Sequence, residues 1–444
     1  MLRRRVHTVQ RWAGQMALAS LIGVAAMVVG TRAALAQPVD DPKPIAPGVS
    51  AAVDSLRAMR GASLTVSLYT YGPSDVFFER FGHTAIGVRD SLTGEDVAYN
   101  WGIFDFDQPG FLVRFLTGET KYSMAGYPTA LFNGVYQGDN RTIRQQVLAL
   151  TPVERATLFE VLQWNAREAN KYYRYDYYQQ NCATMARDAL DYVIGGKLKP
   201  ALTIPGDGRT WRGETARLLG SMLSLYAGIE IALGQHADEP LSKWDEEFLP
   251  EHMAAHYAPL VLTAGDGTRY RFVARDTVLY TSSRVPLPDQ PPERVGVALL
   301  LGLALAGLLM WLANGNALGL RGVAAAVTAI WYLLGGLLGT ALLLAATVTK
   351  HAPYMGANTT LLALQPLLLV AAIVVPIAIV RRRRSGVAVG VSVIIALLSC
   401  VAVLIQLVPA WSQQSGVVLA VVVPVHLALA AAVWRFPHAP LGRA

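Results

Sequence analysis

Five long apolar runs fill the last third of the chain, near residues 295–313, 323–347, 359–380, 386–408 and 415–434. Each run is long enough to cross roughly 30 Å of hydrocarbon as a helix. If residues 37–293 lie outside the cytoplasm, alternating spans bring the basic block at 381–384 to the inside, as the positive-inside rule requires. The pattern therefore predicts a bundle of about five transmembrane helices over residues 294–435 and a cytoplasmic tail at 436–444.

The first 36 residues have the pattern of an export signal. A basic segment at 2–11 precedes an apolar segment at 16–30, and Ala34-Leu35-Ala36 supplies small residues for cleavage. The alternative is an uncleaved membrane anchor, and both alternatives carry the following residues across the membrane. Residues 37–61 are expected to be a linker, since their first part is rich in Pro and Asp.

The segment between linker and bundle alternates apolar and polar residues like a sheet protein. Strands are predicted at 64–69, 84–88 and 97–102, with a hairpin turn over 90–95. Helical spacing follows at 152–170, after the cap Thr151, and at 182–194, before Gly195-Gly196. Strands and helices do not alternate as βαβ units, so the fold class is α+β, with an outer domain at 62–200 and an extension at 201–293.

Composition and charge narrow the choice of function. The chain is 53% hydrophobic and 16% charged, unlike a soluble domain with about 25% charged residues. Eight arginines at positions 3–5, 11 and 381–384 exceed the whole excess of seven positive charges. The basic residues therefore set membrane topology, and no nucleic-acid partner is expected. The predicted spans contain no Asp, Glu or Lys, which argues against an ion-coupled transporter.

Cys182 is the first candidate for chemistry. The chain has two cysteines, and Cys400 falls in a predicted span, so Cys182 is expected to be unpaired in an oxidising compartment. It also stands at a predicted helix N-terminus, where the helix dipole stabilises a thiolate and the N–H groups offer oxyanion donors. The alternative is a buried cysteine that packs as a small apolar residue.

His83 is the candidate base, because it combines the start of a strand with a polar, glycine-containing approach, Arg80-Phe81-Gly82. On its own, a structural histidine would be the simpler interpretation. The pair His252 and His256 has the i, i+4 spacing of zinc ligands, but no suitable third ligand is evident. We interpret these two as surface histidines and predict no metal site.

Four blocks surround these residues: Phe78 to Ala85, Tyr99 to Phe106, Tyr173 to Tyr177 and Asn181 to Asp188. In their residues and their order they resemble the periplasmic domain of Lnb-type lipoprotein N-acyltransferases. The resemblance covers about residues 62–195, within the layout of a signal peptide, an outer domain and a helical bundle. More distantly, the order of His before Cys and the Asn-Cys pair resemble the lecithin:retinol acyltransferase group and NlpC-type permuted papain-like folds.

The resemblance implies an acyltransferase with Cys182 as nucleophile and His83 as base. The thiolate would take an acyl chain from a membrane phospholipid as a thioester, and the N-terminal amine of a diacylglyceryl lipoprotein would accept it. No cofactor is implied. The expected location is the bacterial inner membrane, with the outer domain in the periplasm.

Further residues are predicted around this pair. Asn100 shares the predicted strand face of His83 and is the candidate group that orients the imidazole, with Asp105 as the substitute and a strand-end hydrogen bond as the alternative role. Asn181 is favoured as a helix cap, and Arg187 as the partner of an internal acid such as Asp176 rather than of a phosphate. Tyr99, Asp105, Asn181, Arg187 and His351 complete the predicted substrate-binding set; an Ala after His351 departs from the His-Pro of the family.

Two other classes of function remain open. The same Cys182 and His83 would serve a membrane-anchored cysteine peptidase or amidase of the cell envelope, with water as acceptor. A non-enzymatic envelope assembly factor, in which Cys182 is structural, is the other alternative.

Overall fold

A computed structural model describes residues 51–105, 107 and 109–437. The predicted export signal, the first part of the predicted linker and the end of the predicted tail lie outside the described residues. The remaining linker residues were predicted wrongly. They form a helix, α1 (Ala51–Gly61), tied by Arg57 to Glu160 at 2.7 Å and by Arg60 to Asp90 at 2.5 Å.

The described residues divide into two compact units. One, the sheet unit, runs to Leu219 and resumes over Glu239–Pro291; the other, the helical unit, takes Gly220–Asp238 and the residues from Pro292 onward. The extension expected at 201–293 is therefore shared between the two units. The sheet unit is α+β, and the helical unit contains five apolar helices among the residues described. To this extent the predicted fold class is confirmed.

A seven-stranded sheet forms the centre of the sheet unit. Its order is β6-β4-β3-β2-β1-β5-β9, and every neighbouring pair is antiparallel. The extension supplies the last strand, β9, along one edge, and a separate two-stranded sheet, β7-β8. The strands are β1 (Leu64–Tyr71), β2 (His83–Asp90), β3 (Asp96–Ile103), β4 (Lys121–Pro128), β5 (Ile143–Leu148), β6 (Tyr172–Arg174), β7 (Val261–Thr263), β8 (Arg269–Arg271) and β9 (Val273–Tyr280).

Helices cover both faces of the large sheet. Leu68, Ile86 and Trp101 on one face join the core that contains α5, whereas Tyr71 and Ala85 on the other face pack with α3. The helices of this unit after α1 are α2 (Phe111–Thr117), α3 (Thr129–Gly138), α4 (Pro152–Asn165), α5 (Cys182–Val193), α6 (Leu198–Leu202), α7 (Trp211–Leu219), α9 (Lys243–Glu246) and α10 (Pro250–Tyr257). A 3-10 turn spans Phe77–Glu79.

The predicted start of α4 and the predicted end of α5 are both confirmed. Thr151 accepts a hydrogen bond from the N–H of Glu154 at 3.3 Å, and the Glu154 carboxylate accepts from the N–H of Thr151 at 2.7 Å. This reciprocal capping box satisfies two N–H groups that a helix start leaves without partners. Gly195 and Gly196 follow α5 with φ of +76° and +74°, a backbone region that glycine enters without steric cost.

The helical unit contains five helices that are long and apolar enough to cross a membrane, among the residues described, as the sequence predicts. The third span begins with a 3-10 turn, Thr359–Leu362, before the α-helix proper. The helices of this unit are α8 (Leu223–Ala232), α11 (Val295–Asn314), α12 (Leu318–Val348), α13 (Ala352–Met355), α14 (Leu367–Arg381), α15 (Gly386–Leu404) and α16 (Gly416–Arg435), with 3-10 turns at Gln235–Asp238, Ile405–Leu407 and Pro409–Trp411.

Close helix packing in this unit depends on small residues. A Cβ atom on Gly302 of α11 would lie 2.4 Å from the carbonyl oxygen of Ala420 in α16, so a side chain there would push the two helices apart. Small residues at such crossings are typical of membrane bundles, in which close backbone packing drives helix association. The adjoining segment is held by Asn358, whose amide donates to the carbonyl oxygen of Leu233 at 3.2 Å, within the same unit.

Candidate active site

Cys182 is the first residue of helix α5, and Asn181 caps that helix. Oδ1 of Asn181 accepts hydrogen bonds from the N–H groups of Ala183 (2.9 Å) and Thr184 (3.0 Å). Its amide donates to the carbonyl oxygen of Phe248 at 2.9 Å. Asparagine is among the preferred N-cap residues because its side chain satisfies N–H groups at the helix start. These contacts agree with the capping role favoured for Asn181 and hold Cys182 at a fixed helix terminus.

His83 is the first residue of strand β2, directly after Gly82, whose φ is +76°. Its imidazole lies among three aromatic rings: the centroid distances are 6.3 Å to Tyr71, 6.1 Å to Phe132 and 5.9 Å to Tyr136. The Tyr136 ring is nearly parallel to the imidazole, at 11°. These rings restrict the imidazole orientation and keep water from the side they cover.

Asn100 contacts His83 across the sheet. The β2–β3 register pairs Asn100 with Ala85, so Asn100 and His83 share a face, as the alternation predicts. Nε2 of His83 lies 3.2 Å from Oδ1 of Asn100, while the Asn100 amide donates to the carbonyl oxygen of Ala125 at 3.2 Å. The reversed amide would bring two oxygens together, so Oδ1 faces the imidazole. Nε2 of His83 therefore carries the proton, and Nδ1 is free to accept one.

The thiol and the imidazole approach each other from opposite sides of the sheet. Helix α5 packs on the face that bears Trp101, whereas His83 belongs to the face that packs with α3. Gly102 lies between them, where the β3–β4 register shifts, with a φ of +95°. A Cβ atom on Gly102 would lie 3.5 Å from Cβ of Cys182 and 3.8 Å from Cε1 of His83. The missing side chain leaves a gap that both residues border.

Gly102 is thus a site residue that sequence reasoning did not single out. The signal was present, because an isolated glycine inside a strand pattern is typical of a bulge or a close approach.

Burial determines the protonation states of the pair. It raises the pKa of the Cys182 thiol to about 11 and lowers the pKa of the His83 imidazole to about 4. The N–H groups of Thr84, Ala183 and Cys182 lower the thiol pKa, but less than burial raises it. The helix terminus therefore favours the thiolate, as expected, but burial outweighs this effect. At neutral pH the two shifts favour a neutral thiol and a neutral imidazole.

Residues 52–213 match the family model of the Lnb N-terminal periplasmic domain. The resemblance to the Lnb-type family is confirmed over this part of the chain. No curated protein and no solved structure matches the chain. The matched residues include Cys182, His83 and Asn100, which the Lnb-type domain brings together.

Three further residues were predicted for the site. Tyr99 projects from the opposite face of β3 to Asn100 and is buried in the core. Asp105 lies in the loop after β3, exposed, and its carboxylate accepts from the N–H of Asp107 at 2.8 Å. His351 belongs to the helical unit, where it precedes α13.

Arg187 is an internal anchor in the Lnb-type domain. It pairs with Asp188 at 2.8 Å, which confirms the internal acid favoured from the sequence, although the acid is Asp188 rather than the example Asp176. Its guanidinium also donates to the carbonyl oxygen of Trp244 at 2.7 Å and lies 3.8 Å from the centre of the Trp244 ring. A buried guanidinium with these partners holds α5 in place.

The part of the extension that belongs to the sheet unit supports helix α5. Phe248 and Trp244 anchor Asn181 and Arg187 of the α5 region, as described above. Tyr178, just before α5, exchanges a hydrogen bond of 2.8 Å with Thr215 of α7. The extension carried no recognisable motif because its role is packing and backbone hydrogen bonding, which many sequences satisfy.

The two histidines of α10 face separate carboxylates. His252 contacts Glu214 at 2.9 Å, and His256 contacts Glu246 at 3.2 Å and Glu247 at 3.5 Å. Both imidazoles are mostly buried, so the interpretation as surface histidines is wrong.

A cluster that includes His252 is arranged like a set of metal ligands, but an arginine side chain already pairs with it. Glu214, Glu251 and His252 place ligand atoms within 4.8 Å of one another. The guanidinium of Arg217 pairs with Glu214 at 2.7 Å and also with Glu251. An arginine thus supplies the positive charge that a metal ion would supply there.

Proposed function

We propose that this protein transfers a fatty acyl chain from a membrane phospholipid to the N-terminal amine of a lipoprotein, through a thioester on Cys182. The observation that carries the proposal is the arrangement of Cys182, His83 and Asn100 around the gap at Gly102. The match of residues 52–213 to the Lnb N-terminal periplasmic domain and the five apolar helices support a membrane-embedded substrate.

The first half-reaction uses the neutral pair directly. Nδ1 of His83 takes the thiol proton as Sγ of Cys182 attacks the ester carbonyl carbon, so the charged pair forms only as bonding begins. The N–H groups of Cys182 and Thr84, which lower the thiol pKa, are candidate donors for the oxyanion. The Ala183 and Thr184 N–H groups are held by the cap, which limits the predicted contribution of the helix terminus. The imidazolium then protonates the glycerol oxygen as the ester C–O bond breaks, and a lysolipid leaves.

The second half-reaction reverses the roles. The neutral amine of the lipoprotein attacks the thioester carbonyl, His83 accepts the amine proton, and the C–S bond breaks. The proton returns to Sγ, and the product is an amide. A thioester suits this step because a thiolate leaves more readily than an alkoxide. Asn100 keeps Nε2 of His83 protonated throughout, so that Nδ1 does the proton transfer.

The proposal extends to fold and location. A circularly permuted papain-like arrangement and the inner membrane fit the resemblance, with the sheet unit in the periplasm. An enzyme whose donor and acceptor are both held in a bilayer gains effective concentration from its own membrane anchor.

Mass spectra of lipoprotein N-termini test the proposal. A bacterial host that lacks N-acylation is supplied with the wild-type gene, with the Cys182→Ser variant or with the Cys400→Ser variant as a matched control. We expect N-acylated termini with the wild type and with Cys400→Ser, and none with Cys182→Ser. Termini that stay diacylated although the wild-type protein is inserted would refute the transferase. Full activity of Cys182→Ser would favour an assembly factor.

A further inference from the structure

Helix α2 presents large apolar side chains to its surroundings. None of its seven residues is buried, and Leu112 and Leu116 are 66% and 60% exposed. Val113 and Phe115 are exposed as well. A soluble surface rarely carries so many large apolar side chains in one turn and a half of helix, and such a patch is typical of a surface that contacts a partner or a lipid phase.

Further exposed apolar side chains lie on helix α3 and in the 3-10 turn. Phe132 and Tyr136 of α3 pack against His83, whereas Leu131 and Val135 of the same helix are each 69% exposed. Phe77, in the turn before β2, is also exposed. Helix α3 therefore joins an exposed apolar surface directly to the imidazole.

A row of aromatic rings connects the surface with the neighbourhood of the thiol. The rings follow one another at centroid distances of 5.1, 5.4, 5.2 and 4.0 Å, in the order Phe77, Phe78, Phe104, Tyr122 and Tyr175. Burial raises the pKa of the Tyr175 hydroxyl, and a charge on Cys182 raises it further, so the end of the row lies within electrostatic range of Sγ. The rings form a continuous apolar row that begins at the exposed Phe77.

The occupant to which these features point is a phospholipid bilayer. Arg114 is the one charged residue of α2, and it lies between Val113 and Phe115. A cation among exposed apolar side chains matches a helix at the lipid interface, where the guanidinium reaches anionic phosphates and the apolar groups enter the acyl region. Three residues separate Pro291, the last residue of the sheet unit, from the first spanning helix at Val295. This short connection tethers the sheet unit to the membrane.

We propose that helix α2, with Phe77, Leu131 and Val135, inserts into the bilayer interface, and that the aromatic row guides one acyl chain of a phospholipid toward Cys182. The first part, insertion of the surface into the bilayer, does not depend on any reaction. The second part, guidance of an acyl chain, rests on the proposed acyl transfer. Gly110 and Gly118, with φ of +70° and +75°, bound α2 at both ends and terminate it sharply.

The depth of a spin label tests the insertion in the full-length protein. A nitroxide is attached at Leu116→Cys or, as a matched control, at Leu92→Cys, in a background where both native cysteines are serine. Leu92 is 81% exposed in the β2–β3 turn. In vesicles of phosphatidylethanolamine and phosphatidylglycerol, we expect the label at 116 to collide more often with oxygen than with a water-soluble nickel complex. The label at 92 should show the opposite preference. If the label at 116 collides with the nickel complex as readily as the label at 92 does, the proposal is overturned.

Acylation rates with two kinds of ester distinguish a role of α2 in lipid capture from a role in the chemical step. The Leu112→Ser/Leu116→Ser variant should lose about tenfold or more of its acylation rate with vesicle lipids and keep its rate with a water-soluble short-chain ester. Equal rates with vesicle lipids in wild type and variant would refute the role of α2 in lipid capture. A lipid-embedded label with no acylation by the wild type would leave the surface in place and refute the transferase.

Discussion

Nε2 of His83 lies 3.2 Å from Oδ1 of Asn100, and the amide of Asn100 donates at the same time to the carbonyl oxygen of Ala125 at 3.2 Å. The second bond fixes the orientation of the amide, and the first then fixes the tautomer of the imidazole. A side chain on one strand thus determines which nitrogen of a side chain on the next strand carries the proton.

Asn100→Ala should slow acylation of Cys182 by roughly 10- to 100-fold, at the low end of the contribution that a positioned base makes. The imidazole would no longer be held in the tautomer that leaves Nδ1 to accept the thiol proton. Single-turnover acylation rates measured from pH 4 to 8 check this. The low-pH limb of the profile should also move to lower pH, because the hydrogen bond to Asn100 raises the pKa of His83 and the variant lacks this bond. Asn165→Ala, on the distant helix α4, is the matched control, and an equal loss there would argue against a specific role for Asn100.

The reactivity of Cys182 toward iodoacetamide should rise about tenfold per pH unit between pH 7 and 10. Burial raises the thiol pKa to about 11, so the reactive thiolate is a small fraction at pH 7 and grows with pH. Site-resolved mass spectrometry of the alkylated peptide measures the rate. A rate that is already at its plateau at pH 7 would contradict the neutral pair and indicate a preformed thiolate.

Gly102→Ala should reduce the acylation rate by about 100-fold or more. The new Cβ would occupy the gap between thiol and imidazole, and alanine is strained at a φ of +95°, at a cost of about 1–3 kcal/mol. Gly94→Ala provides a matched control, since Gly94 has a φ of +78° and no atom within 4 Å of its Cβ position. Both variants should lose similar thermal stability, but the control should keep its rate. Comparable rates in the two variants would show that the gap is not used.

His256→Ala should destabilise the sheet unit by about 3–5 kcal/mol at pH 8, since it removes the cation between the buried Glu246 and Glu247. The loss should shrink as pH rises from 8 to 10. Burial opposes the charged imidazole, but the hydrogen bonds with Glu246 and Glu247 raise the pKa of His256 to about 9, so the stabilising imidazolium is present below this pH and is lost above it. Thermal unfolding in detergent, followed by near-ultraviolet circular dichroism, gives the pH dependence. A destabilisation that grows between pH 8 and 10 would contradict this account.

The sequence predicted strands β1, β2 and β3 and the capped helices well because their signals are local, whereas β4, β5 and β6 were not predicted. Thr151 with Glu154 and the glycines after α5 are short-range patterns, and the alternation placed Asn100 and His83 on one face. The linker prediction at 51–61 failed because the interactions of α1 join distant residues, such as Arg57 with Glu160. The same holds for β9, which pairs with β5 from far along the chain.

The sequence singled out Cys182, His83 and Asn100 but not the electrostatics around them. A cysteine at a helix start predicts a lowered pKa, but the amount of burial is a property of the whole fold, and here burial dominates. Gly102 carried a recognisable signal, and the acid that pairs with Arg187 is its neighbour in the sequence, Asp188.

The central claim is that Cys182 carries an acyl chain between donor and acceptor. Its most direct test is the mass of the full-length protein after incubation in vesicles of phosphatidylethanolamine and phosphatidylglycerol without a lipoprotein. The account predicts an added acyl mass on the peptide that contains Cys182, removed by neutral hydroxylamine and absent in Cys182→Ser. A Cys182 peptide that stays unmodified while lipoproteins become N-acylated would contradict it.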